Sequence, residues 1–83
     1  MGRLKESEEV RQRDVFVSTT IMMMAKRGIT KRDVASYIRV SYPTLLKRFE
    51  TPGSFQFDEM QGVAKLLNVK LQSLMDGSAA RGE

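Results

Sequence analysis

Apolar residues recur along this chain at helical spacing, in five runs, and no stretch alternates in the way a half-buried strand does. In the first run Val10, Val17, Ile21 and Met24 follow the helical period. Ser7 stands where a cap belongs, and Glu8 and Glu9 place acids in the first turn, where the helix dipole favours them. Gly28 suits the stop, because a residue just past a helix end often takes a left-handed conformation. Thr30 caps a second, short helix with the apolar face Val34, Ala35 and Ile38, and Asp33 completes a Thr-x-x-acid capping spacing. Arg39 and Val40 connect it to a third helix from about Ser41 to Glu50, in which Leu45 and Phe49 share a face. Thr51-Pro52-Gly53 ends that helix. In the fourth, Phe57, Met60, Ala64 and Leu67 line up, with Asp58 and Glu59 in the first turn and Asn68 as a left-handed stop. Leu71, Leu74 and Met75 make a last short helix, and the run from Gly77 is small and polar. The expectation is an all-α fold, a compact bundle of about five helices over residues 1–76, with a flexible tail at 77–83.

One residue tests this pattern. Pro43 lies close to the start of the third run, and a proline inside a helix costs roughly 3 kcal/mol. In the first turn it costs nothing comparable, since the N–H it lacks has no intrahelical partner there. With Ser41 as cap Pro43 is the second helical residue; with Tyr42 as cap it is the first. Either way Pro43 marks a beginning. Two short helices across a tight turn, at about residues 30–50, form a helix-turn-helix.

Charge changes the picture more than bulk composition does. The chain has 83 residues, 41% apolar and 29% charged, enough for one small globular core, and it carries a net charge of +4. From Met1 to Asp14 the charges cancel. From Lys26 to Arg48 seven bases (Lys26, Arg27, Lys31, Arg32, Arg39, Lys47, Arg48) stand against Asp33 alone, and from Phe49 onward the balance is −2. The middle of the chain therefore carries the positive field, which points to a polyanion-binding face. A solvated surface of scattered lysines and arginines is the plainer alternative.

The segment from Gly28 to Met75, "GITKRDVASYIRVSYPTLLKRFETPGSFQFDEMQGVAKLLNVKLQSLM", resembles the lambda-repressor-like (phage Cro/repressor) helix-turn-helix family. The resemblance rests on Ala35 in the second helix, Val40-Ser41 entering the third, Thr44-Leu45 within it, and the two following helices. There are three departures: Lys31 replaces a usual Gln, Arg39 a usual turn Gly, and Arg48 a usual apolar residue. The resemblance implies that Tyr42, Pro43, Leu46 and Lys47 form the face laid into the major groove, with Lys47 suited to guanine and Pro43 and Leu46 to a thymine methyl. It places Lys31, Arg32, Arg39, Ser41, Thr44 and Arg48 against phosphates. Val34, Ala35, Ile38, Val40, Leu45 and Phe49 are expected in the core.

The run Met22-Met23-Met24 cannot all face one narrow stripe, because successive helical residues lie 100° apart. Either the first helix is buried over a wide arc, or Phe16, Met22 and Met23 contribute to a homodimer interface, a use to which methionine adapts well. Without His or Cys most nucleophile–base pairs and soft-metal sites are excluded, so no catalysis, cofactor or metal is expected. No apolar run is long enough to span a bilayer, no export signal stands at the N-terminus, and no small-molecule substrate is evident. The leading expectation is a cytoplasmic, nucleoid-associated regulator of double-stranded DNA, a phage or mobile-element repressor acting as a homodimer in a bacterial or phage-infected cell. The alternatives are a protein-binding module of antitoxin or antirepressor kind and a DNA-architectural or excision factor.

Overall fold

A computed structural model describes residues 8–81 of the chain. Five helices follow one another: α1 (Glu8–Arg27), α2 (Lys31–Ile38), α3 (Tyr42–Glu50), α4 (Phe57–Leu67) and α5 (Leu71–Met75). Short 3-10 turns at Pro52–Ser54 and Ser78–Arg81 complete the described chain, which is all-α as the apolar periodicity predicts. The cap assigned to Ser7, and the side chains of Glu8, Glu9 and Val10, lie outside the described residues. Among the described residues no helix is long and apolar enough to cross a membrane.

Local chemistry repeats at three of the four helix junctions. Gly28, Arg39 and Asn68 all have positive φ, at 69°, 65° and 59°. After each, an apolar residue donates its N–H back five residues: Ile29 to the Met24 carbonyl, Val40 to Ala35, Val69 to Ala64, each at 3.0 Å. This is the Schellman closure, which satisfies helix-end carbonyls that have no other partner. The same apolar residues then begin the next helix. Ile29, Val40, Phe55 and Val69 each precede an N-cap (Thr30, Ser41, Gln56, Lys70), and the fourth helical residue after each cap is Val34, Leu45, Met60 or Leu74. All four of those residues are buried. An apolar residue before the cap paired with one at the fourth helical position is the spacing of a hydrophobic staple. Here that spacing opens every helix from α2 to α5, with both residues in or against the core.

The core joins Phe16, Val17, Met23 and Met24 of α1 to Val34, Ala35, Leu45, Phe55, Met60, Val63, Ala64, Leu67 and Leu74. Phe55 is its hinge, with its ring edge-on to Phe16 at 5.2 Å and tilted against Phe49 at 5.9 Å. Close approach of α2 and α4 requires Gly62, where an added Cβ would fall 2.9 Å from Cγ2 of Ile38.

Several expectations are corrected. Phe16 and Met23 are buried, at 0% and 4% exposure, so they pack the core and are not available to a second subunit. The reason is that α4, α5 and both 3-10 turns pack against α1, so its buried arc is wide. Met22 points out of that arc, together with Ile21. Phe57 is 61% exposed because it is the first residue of α4, beyond the cap, and Phe55 takes the core place assigned to it. The tail is folded as far as Arg81: Ser78–Arg81 packs on α1 and α5 with Ala79 buried, so a short apolar anchor sits inside an otherwise polar run.

Candidate nucleic-acid interface

The site grows from two capped helix starts. At α2 the Thr30 hydroxyl accepts from the Asp33 N–H at 3.1 Å, and the Asp33 carboxylate accepts from the Thr30 N–H at 2.9 Å. The backbone N–H of Thr30, followed by its side chain, holds the Asp33 carboxyl below the usual carboxylate range. The one acid of the basic middle segment is thus engaged by the cap, although it stays exposed. Lys31 and Arg32, at the first two helical positions, are exposed beside it.

At α3 the cap is Ser41, whose hydroxyl oxygen accepts from the Thr44 N–H at 3.2 Å and donates its proton to Thr44 Oγ1 at 2.8 Å. Tyr42 is therefore the first helical residue and Pro43 the second, where proline is tolerated. Leu45 is fully buried, and Pro43, Lys47 and Glu50 lie exposed on the opposite side of the helix. Tyr42, Thr44 and Leu46 are half-buried on its flanks. Glu50 belongs to this outward face, a place the sequence reading missed although its i+3 spacing from Lys47 offered the signal.

Two cations of α2 lie over aromatic rings of α3. The Arg32 guanidinium stands 4.5 Å from the Tyr42 ring centroid, and Lys31 Nζ stands 5.9 Å from that of Phe49. Where the resemblance leads one to expect Gln bracing the third helix, this chain sets cations against rings. Arg39 is exposed in the turn, in the left-handed region that a residue with a Cβ enters at a cost of about 1 kcal/mol.

Arg48 is elsewhere. Its Nε and Nη2 donate to the two carboxylate oxygens of Glu59, at 2.9 and 3.1 Å, and Glu59 also accepts from the Gln56 N–H at 2.9 Å. Hydrogen bonding to Glu59 raises the Arg48 pKa. Burial pushes the Glu59 carboxyl upward, but the bonds from Arg48 and the Gln56 N–H outweigh it and hold Glu59 low. Arg48 is thus committed to tying α3 to α4 rather than to a phosphate, because its fork meets a carboxylate at the α4 cap. Arg13 of α1 adds a tie the sequence reading did not anticipate, donating to the carbonyls of Gly53 and Phe55 at 3.0 and 2.9 Å. The loop after α3 is fastened from both sides.

The structure therefore brings Lys31, Arg32, Arg39 and Lys47 to the exposed surface around α2 and the start of α3, and withdraws Arg48. A family model of the Cro/C1-type HTH DNA-binding domain matches residues 21–78, more than half of the chain and all of α2 to α5. The chain belongs to that family. No curated protein and no solved structure matches it. As a member of the Cro/C1-type family it is a DNA-binding regulator, and α2 and α3 are its helix-turn-helix.

Proposed function

We propose that the chain is a sequence-specific transcriptional regulator, a phage or mobile-element repressor or Cro-like protein that lays helix 41–50 into the major groove of double-stranded DNA. It acts as a homodimer on two half-sites about 34 Å apart and controls a promoter by occupancy. The observation that carries this reading is the outward face of α3, with Pro43 and Lys47 exposed and Leu46 at its edge, flanked by Lys31, Arg32 and Arg39. On this reading Lys47 donates to a guanine edge, Pro43 and Leu46 meet thymine methyls, and Lys31, Arg32 and Arg39 bind phosphates. The Thr44 hydroxyl, which accepts from Ser41, keeps its own proton for a phosphate oxygen. Exposed Met22 beside Ile21 supports placing the second subunit on α1. The protein works in the cytoplasm, without a cofactor and without catalysis.

The test is selection of bound sequences from a random duplex pool, followed by a salt titration on the selected site. Neutralising three phosphates per subunit makes log K fall with log salt at a slope of about −3 per subunit. A binding constant that does not move with salt removes the phosphate-contact reading. Lys47→Ala is expected to relax base preference as well as to weaken binding, and a uniform loss on all sequences would reassign it to the backbone. For the homodimer, the Tm should rise with protein concentration, and a constant Tm over a wide dilution series counts against it.

A further inference from the structure

We infer that Arg32 and Tyr42 act as one unit, in which the Tyr42 ring is a platform that aims the Arg32 guanidinium at a DNA phosphate instead of reading a base. The inference rests on the DNA-binding reading above and changes the role of Tyr42 within it. Its ring is half-buried at the first position of α3, so its place is fixed by the helix start that Ser41 caps. The guanidinium carbon of Arg32, from the second position of α2, stands 4.5 Å from the ring centroid. A guanidinium is planar and weakly hydrated on its faces, so a ring covers a face while the edge N–H donors stay available to an oxygen ligand. The carboxylate nearest in sequence, Asp33, is occupied by Thr30 and leaves that edge free of a neighbouring acid.

The arrangement has a chemical preference. A fork whose plane is fixed suits two oxygens of one phosphate, and fixing it beforehand removes rotamer freedom that binding would otherwise remove. A tyrosine that lies under a guanidinium does not present its own face to a base. Base discrimination then falls to Pro43, Leu46 and Lys47. The platform spans the turn, so seating α3 in the groove and placing the phosphate donor are one geometric event.

The experiment compares the wild type with Arg32→Ala, Tyr42→Phe, Tyr42→Leu and the Arg32→Ala/Tyr42→Leu pair, by fluorescence anisotropy on the selected duplex across a salt series. Arg32→Ala should flatten the salt slope by about one unit. Tyr42→Phe, which keeps the ring, should retain wild-type affinity, slope and base preference. Tyr42→Leu should weaken binding about three- to tenfold, and the pair should be no weaker than Arg32→Ala alone. If Tyr42→Phe alters base preference, or if the losses in the pair add, Tyr42 contacts DNA by itself and the inference is wrong. A readout in the free protein separates this from failure of the DNA-binding reading. The Arg32 side-chain NMR signals should be shifted upfield by the ring in wild type and Tyr42→Phe and return to ordinary positions in Tyr42→Leu. Signals at ordinary positions in the wild type overturn the platform whether or not DNA binds.

Discussion

The α2–α3 and α4–α5 turns are built on one plan. Each runs from an alanine (Ala35, Ala64) through a left-handed residue (Arg39, Asn68) to a valine (Val40, Val69) and then the next cap (Ser41, Lys70). The backbone bonds match, since Arg39 and Asn68 donate to Ser36 and Lys65, and the valines to the alanines. Their chemistry differs in opposite senses. The α4–α5 turn has Asn in the left-handed place, where it is tolerated, and a lysine cap that makes no side-chain bond. The α2–α3 turn has a good cap, Ser41, and a poor left-handed residue, Arg39. The common plan teaches that backbone closure and the valine anchor fix the turn geometry, and the residue at the left-handed position follows. The greater strain falls at the turn beside α3, which is what the proposed phosphate contact of Arg39 leads one to expect.

The largest test of that equivalence is at the staples. Leu45 and Leu74 hold the same fourth-residue position in α3 and α5, and both are fully buried. Replacing either by Ala should cost about 2–5 kcal/mol, enough to unfold much of a domain this small. Urea unfolding followed by circular dichroism measures both, and a loss under 1 kcal/mol at Leu74 alone would show that α5 docks independently of the plan.

The Arg48–Glu59 pair joins the two units, and Glu59→Ala should cost about 2 kcal/mol, the scale of a charge-assisted bond left unmade. Its pH dependence has a definite sign. The folded Glu59 pKa lies below its unfolded value, so its contribution is present above the unfolded pKa and is lost as pH falls through the folded one. Asp33 and Asp76 are shifted the same way, so the wild type weakens in acid for several reasons. The difference between wild type and Glu59→Ala should shrink as pH drops below the ordinary carboxylate range. A difference that stays constant to low pH assigns the loss to packing rather than to charge.

At the caps the two turns should respond in opposite directions. Ser41→Ala should lose about 1 kcal/mol and Lys70→Ser should gain a similar or smaller amount, both read from urea midpoints at unchanged m.

Much of this plan was legible in the sequence. Gly28, Thr30, Asp33, Ser41 and Asn68 act on backbone groups within a few residues, so their local spelling suffices. Phe57 was misplaced because Gln56 is an inconspicuous cap, and the helical period alone does not separate the first helical residue from the one before the cap. Arg48 was misplaced because its partner lies eleven residues on, in another helix. Phe16 and Met23 depended on how many elements cover α1, which periodicity along α1 does not contain. In the candidate interface the charge asymmetry was visible, yet the Arg32–Tyr42 contact crosses the turn and becomes visible only when α2 and α3 are placed together.

The smallest stability effect separates folding from function most sharply. Arg39→Gly removes a left-handed side chain and should gain up to about 1 kcal/mol, because the relief of strain exceeds the entropy glycine loses. Asn68→Gly, at the matching place with less strain to relieve, should change stability by only a few tenths of a kcal/mol. If Arg39 also meets a phosphate, its removal should weaken DNA binding and reduce the salt slope by about one unit, while Asn68→Gly leaves both unchanged. A more stable protein that binds less well is the outcome expected of strain kept for a ligand. An Arg39→Gly variant that is more stable and binds equally well would make the arginine an accident of the turn, and the two turns would then differ in sequence alone.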